Sequence, residues 1–145
     1  MADGLELQTR RGGLDRIPPH NLEAEQAVLG AMLLSPEAVE GSLNMLQDVD
    51  FYRPAHARIF KAMGDLYARS IPVDHLSVAD RLETSGEIDA AGGKTYLLDL
   101  SGAVPTTANW MRYAEIVQRT AMLRQLIGAA TQIVEIGRAS CRERV

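Results

Sequence analysis

The chain has 145 residues, enough for one domain with a real core, and its 46% hydrophobic and 23% charged residues are ordinary for a soluble globular protein. Its net charge of −4 argues against an autonomous nucleic-acid binder, which carries a basic patch or stripe. No apolar run is long enough to span a membrane, no signal peptide opens the chain, and the single cysteine, Cys141, excludes an internal disulfide or a thiolate-rich metal site, so a cytoplasmic protein is expected.

Residues 1–16 are rich in Gly and charge, without periodicity, and read as a flexible tail. Pro18 and Pro19 then impose an extended lead-in, and Asn21 is a good N-cap for a first helix reaching Leu34. Glu23 and Glu25 favour the positive end of its dipole. Ala24, Ala27, Val28, Ala31 and Met32 share one face, while Glu23, Gln26 and Gly30 form the opposite stripe. Ser35-Pro36 signals a second helix to about Leu46, with Val39, Leu43 and Leu46 as apolar contacts. After a turn at 47–50, Phe51-Tyr52 is expected to plug a core gap. A third helix over Ala55–Arg69 turns Ile59, Phe60, Met63, Leu66 and Tyr67 inward. Asp74 or Ser77 caps a fourth, ending at Gly86, with Val78, Ala79 and Leu82 buried. A loop at Ala90–Gly93 leads to a short helix over Lys94–Leu100, and Val104–Thr107 leads into the last segment with a Thr cap. No segment alternates like a half-buried strand, so the class is all-α.

The last segment, Ala108–Ile136, keeps helical patterning for about thirty residues without proline, a straight length of roughly 45 Å. Ile116, Thr120, Leu123, Ile127, Ala130 and Val134 form one row. Met122, Leu126, Ala129, Ile133 and Ile136 form a second, while Arg124, Gln125, Gly128, Thr131, Gln132 and Glu135 stay polar. So wide an apolar face implies a helical hairpin or docking against another chain. The plainer reading is a long helix packed on its own core. Trp110 and Tyr113 share a face and read either as anchors to their own domain or as partner contacts.

Little chemistry is encoded. Gly93-Lys94-Thr95 lacks the glycine that a P-loop needs at position 88, which is Ile88, and no strand precedes it. His20, His56 and His75 stand singly, none at metal-ligand spacing from another His or Cys. The carboxylates sit where caps and solvated stripes are expected, and no Ser-His-Asp arrangement suggests itself. No catalytic, cofactor or metal residue is assigned.

Several ordered blocks carry a resemblance. The wording of Pro18–Leu33, then Phe51–His56, Pro72–Asp74, Gly92–Leu97, Val104–Asn109 and Tyr113–Val117, resembles the N-terminal domain of bacterial replicative DNA helicases, the DnaB family, to about Gly137. The resemblance implies a compact helical bundle (17–107) followed by a C-terminal helical hairpin (108–137) used for dimerisation; its turn is placed near Arg119–Ala121, where Thr120 interrupts the apolar run. It implies a collar of six subunits, a trimer of dimers, that receives the C-terminal domain of primase and in some members a helicase loader. DNA would be met only weakly or through the full ring. ATP and Mg belong to a motor domain absent from this chain, so the fragment itself is not an enzyme. Residues 138–145 depart from the family and read as an appended, non-native tail, which leaves Cys141 without functional weight. The interface residues expected on this basis are Trp110, Tyr113, Ile116, Val117, Leu123, Leu126, Ile127, Ala130, Ile133 and Val134. The alternative is an autonomous helical DNA-binding or adaptor module unrelated to replication.

Overall fold

The computed structural model describes the backbone of residues 17–143 and side chains as far as Ala139. The readings of 1–16 as a flexible tail and of Cys141 fall outside what is described. Among the described residues there are six α-helices and no strand: α1 (Leu22–Leu34), α2 (Pro36–Met45), α3 (Pro54–Ala68), α4 (His75–Thr84), α5 (Gly93–Ala103) and α6 (Trp110–Glu143). Short 3₁₀ turns at Asp48–Asp50 and Thr107–Asn109 join α2 to α3 and α5 to α6. The all-α class and the bundle are as expected.

Local chemistry sets the starts. The Asn21 side chain accepts from the Ala24 N–H, Ser35 accepts from Ala38 with Pro36 in the first helical turn, and Asp74 and Ser77 close a reciprocal capping box. The core gathers Val28, Leu29 and Met32 of α1 with Ile59 and Met63 of α3, Leu82 of α4, and Leu97 and Leu100 of α5.

Helix α1 is buried around most of its girth, and that overturns two details of the sequence reading. Gly30, placed on the polar stripe, is buried against α5: a Cβ there would stand 2.2 Å from the Leu100 carbonyl oxygen. Only glycine lets the two backbones come this close. Glu25, assigned to the helix dipole, has no exposed surface. Its Oε2 accepts from the Tyr52 backbone N–H at 2.8 Å, and its Oε1 lies 2.8 Å from His56 Nδ1. His56, also fully buried, meets the Tyr96 hydroxyl through Nε2. The set fits an imidazole that donates from Nδ1 and accepts at Nε2. Tyr67, expected inward, is 47% exposed.

The last helix differs most. No turn interrupts Arg119–Ala121, and the helix does not stop at Gly137; α6 runs unbroken for 34 residues. Thr120, read as an interruption, donates its hydroxyl to the Ile116 and Val117 carbonyls inside the helix.

Removing the buried carboxylate should be costly. Glu25→Ala leaves the Tyr52 N–H and the His56 ring without their acceptor, and about 3 kcal/mol of unfolding free energy is expected to go, read by urea denaturation. Asp74 offers a milder, pH-dependent case. The Ser77 backbone N–H holds its carboxyl below the ordinary value of 3.8. A depressed native pKa stabilises above the unfolded value, and that contribution disappears as pH falls through the native one. Asp74→Ala should therefore cost about 1 kcal/mol at pH 7. The parent and variant stabilities should converge as the pH drops below 3.8.

Candidate interaction surface

Helix α6 has two parts with opposite surroundings. In its first three turns Ala114, Val117 and Ala121 are buried in the core, and Trp110, Tyr113 and Ile116 pack half-buried beside them. The Trp110 ring fills the notch left by Gly41 on α2; a Cβ there would lie 1.9 Å from the indole. Gln118 donates to the Met45 carbonyl at 3.3 Å. From Gln125 to Ala139 every residue is exposed, a projecting arm of roughly 22 Å.

The arm's apolar residues do not continue the docked side. At about 100° per residue, Gly128, Thr131 and Glu135 extend the line of Val117, Ala121 and Arg124, whereas Leu126 and Ile133 fall nearly opposite. The polar side of the arm thus follows the domain-facing side, and the apolar side faces away. Exposures reach 67% for Leu126, 52% for Ile127, 70% for Ile133 and 52% for Val134. Met122, Leu123 and Ile136 are likewise exposed. The plainer reading, in which the whole stripe packs on its own core, does not hold for the arm.

The ten residues singled out from the sequence therefore divide. Val117 is fully buried in its own core and offers nothing to a partner, which corrects its place in that set. Trp110, Tyr113 and Ile116 are half-buried against the same core. Leu123, Leu126, Ile127, Ala130, Ile133 and Val134 lie together on exposed helix. Arg124, set aside as part of a polar stripe, reaches back to the domain and bonds two backbone carbonyls, those of Pro19 and Asp50. Both partners lie far away in sequence, and no local pattern announces them.

His20 and His56 serve the structure of the head, while His75 is exposed at the start of α4. His20 stacks on Tyr52 at 4.2 Å, and His56 lies parallel to Tyr96 at 5.9 Å. Among the described residues no group of three or more His, Cys, Asp or Glu could hold a metal ion, and no helix is long and apolar enough to cross a membrane.

Residues 17–119 match the family model described as the DnaB-like helicase N terminal domain. The chain belongs to that family. It is 47% identical to the replicative DNA helicase DnaB of Mycobacterium leprae over 94% of its own length, but covers 22% of that relative. The chain spans less than a third of the length of the curated relatives it first matches. It is also similar to the crystal structure of the N-terminal domain of DnaB helicase from Mycobacterium tuberculosis. That match has a TM-score of 0.84 at 46% identity and covers 86% of this chain and 89% of the other. A DnaB-like replicative helicase, whose structure was described with its interactions with primase, matches with a TM-score of 0.73 at 31% identity; 82% of this chain and 28% of that one are covered.

Because Trp110 fits only where α2 has no side chain, Gly41→Leu should expel the indole. A loss of about 2–3 kcal/mol is expected in urea denaturation, with a red shift of the single tryptophan's emission.

Proposed function

We propose that this domain serves as an assembly and docking element of a replicative helicase, a collar subunit that joins sister subunits and receives primase. The observation that carries this reading is the arm of α6, whose apolar side faces away from its own domain and has no partner within the described residues. Family membership supplies the context, and the relative described with primase supplies the kind of client.

In this reading, Leu123, Leu126, Ile127, Ala130, Ile133 and Val134 meet the matching face of a second copy, and three such pairs close a ring of six. Helix α6 is then the element through which two copies pair. The same terminal segment, 108–137, also serves as the docking element for the C-terminal domain of primase. ATP hydrolysis, with its magnesium, belongs to the part of the relatives that this chain does not span. A helicase loader is a further client, and DNA is met through the assembled ring. The work would take place in the cytoplasm, where the chromosome is copied. Holding primase at the ring raises its effective concentration near newly unwound strand.

Leu126→Asp combined with Ile127→Asp places two carboxylates in the centre of the exposed face. The pair should abolish self-association in sedimentation velocity while leaving the helical circular dichroism signal largely intact, since neither side chain supports the head. Sedimentation identical to that of the parent would overturn the proposed interface. Titration with the C-terminal domain of a cognate primase tests the docking role separately. Retention on single-stranded DNA that falls steeply with salt would favour the nucleic-acid reading instead.

A further inference from the structure

The inner face of α6 is smooth. Ala114, Val117 and Ala121 make the deepest contacts, and side chains this small let a helix roll or swing with little resistance. Directional contacts must fix its course. Trp110 in the Gly41 notch pins the near end, and the exposed Gln118 bond adds a weak midpoint. Arg124 is the far pin, fourteen residues or roughly 21 Å from Trp110. It is the last residue of α6, among those described as far as Ala139, that is partly buried.

We propose that Arg124 is a latch that sets the direction in which the arm leaves the domain and ties that direction to two other segments. One guanidinium nitrogen donates to the Pro19 carbonyl at 2.8 Å, and the other to the Asp50 carbonyl. Pro19 belongs to the extended lead-in before α1, and Asp50 ends the 3₁₀ turn before α3. The guanidinium also lies 5.5 Å from the centre of the Tyr52 ring, on which His20 of the lead-in stacks. The planar fork matches this task, because its two donors reach two separate acceptors at once. Neither carbonyl takes part in a helix ladder, so losing the guanidinium leaves both to water and the head intact. Displacement of the Pro18–Asn21 strap would therefore free the arm, and fixing the strap would fix it. The latch acts on the arm that the collar reading uses, and in that sense rests on it.

The test measures arm direction and assembly separately. Spin labels go on Thr84→Cys in the head and Gln132→Cys on the arm, with Cys141→Ser, and Leu126→Asp plus Ile127→Asp keep the chain monomeric. With Arg124 present, electron–electron resonance should give one narrow distance. Arg124→Ala should broaden the distribution at least about twofold while helical content stays the same. Arg124→Lys, which keeps the charge and one bond, should fall between. Without the two Asp substitutions, Arg124→Ala should weaken self-association about tenfold per copy if the arm then points correctly about a tenth of the time. A distance as narrow in Arg124→Ala as in the parent would overturn the latch. Broadening in Arg124→Ala, beside a narrow parent that never self-associates when its Leu126 and Ile127 are kept, would uphold the latch and remove the collar reading.

Discussion

A helix has one circumference, and α6 turns its apolar side to the head over one stretch and away from it over the next. For three turns its apolar side faces the head, where Ala114, Val117 and Ala121 disappear into the core. Beyond Arg124 the side in line with those residues becomes polar, and the apolar residues move to the far side. A single amphipathic helix keeps one stripe throughout. The change of side leaves Leu126 and Ile133 pointing away from the head, with Ile127 and Val134 on the flank, so much of the arm's exposure follows from the order of residues. The head must anchor α6 well enough that the arm keeps its orientation, and the rest of the architecture can be read as meeting that requirement.

The anchor depends on α1, which α6, α5, α2 and α3 all touch. Gly30 lets α5 approach to backbone contact, and small residues along α1 keep the neighbouring helices near. The buried Glu25 then fixes what packing alone leaves loose. Its carboxylate holds the backbone at Tyr52 and Arg53, where the chain enters α3, and through His56 it reaches Tyr96 on α5. Arg53 lies over the Tyr96 ring at 5.2 Å and covers the network from outside. A buried carboxylate without these partners would be strongly unfavourable, so its presence specifies one arrangement of α1, α3 and α5. The same segment that Glu25 holds also presents the Asp50 carbonyl and the Tyr52 ring to Arg124. The core network and the base of the arm are thus adjacent through four consecutive residues.

Where the sequence was legible, the signals were local. Asn21, Ser35-Pro36 and Asp74 mark helix starts within three residues of the groups they bond, and each is found in place. The exposed apolar rows of the arm were legible too, because periodicity is a property of one helix. What stayed hidden depends on distant partners. Nothing near Glu25 separates a dipole-stabilising carboxylate from a buried one; the distinction lies in His56 and Tyr96, 31 and 71 positions away. Gly30 looked polar by position, yet it marks a close backbone approach. Thr120 looked like a break in an apolar run, but its hydroxyl is satisfied by the preceding turn, so it interrupts nothing. The hairpin rests on the resemblance and its turn on Thr120 alone, and the helix has no physical reason to bend at that point.

Magnitudes indicate how the arm would behave alone. Seven large apolar residues, from Met122 to Ile136, stand 44–70% exposed on each copy. Covering the exposed half of each contributes about 1 kcal/mol, so two copies together bring about 14 kcal/mol. Association itself costs about 4–15 kcal/mol in lost translational and rotational freedom, and ordering the interfacial side chains costs a further ~0.5–1.5 kcal/mol each. The surplus is small, which makes a pair of isolated arms a modest association. In the proposed ring the balance would change, because each added contact is intramolecular once the neighbours are in place. An arm that pairs weakly alone and firmly in a ring would assemble reversibly, and its direction then matters as much as its stickiness. That makes the base of the arm, where Arg124 meets the lead-in, as consequential for assembly as the apolar face itself.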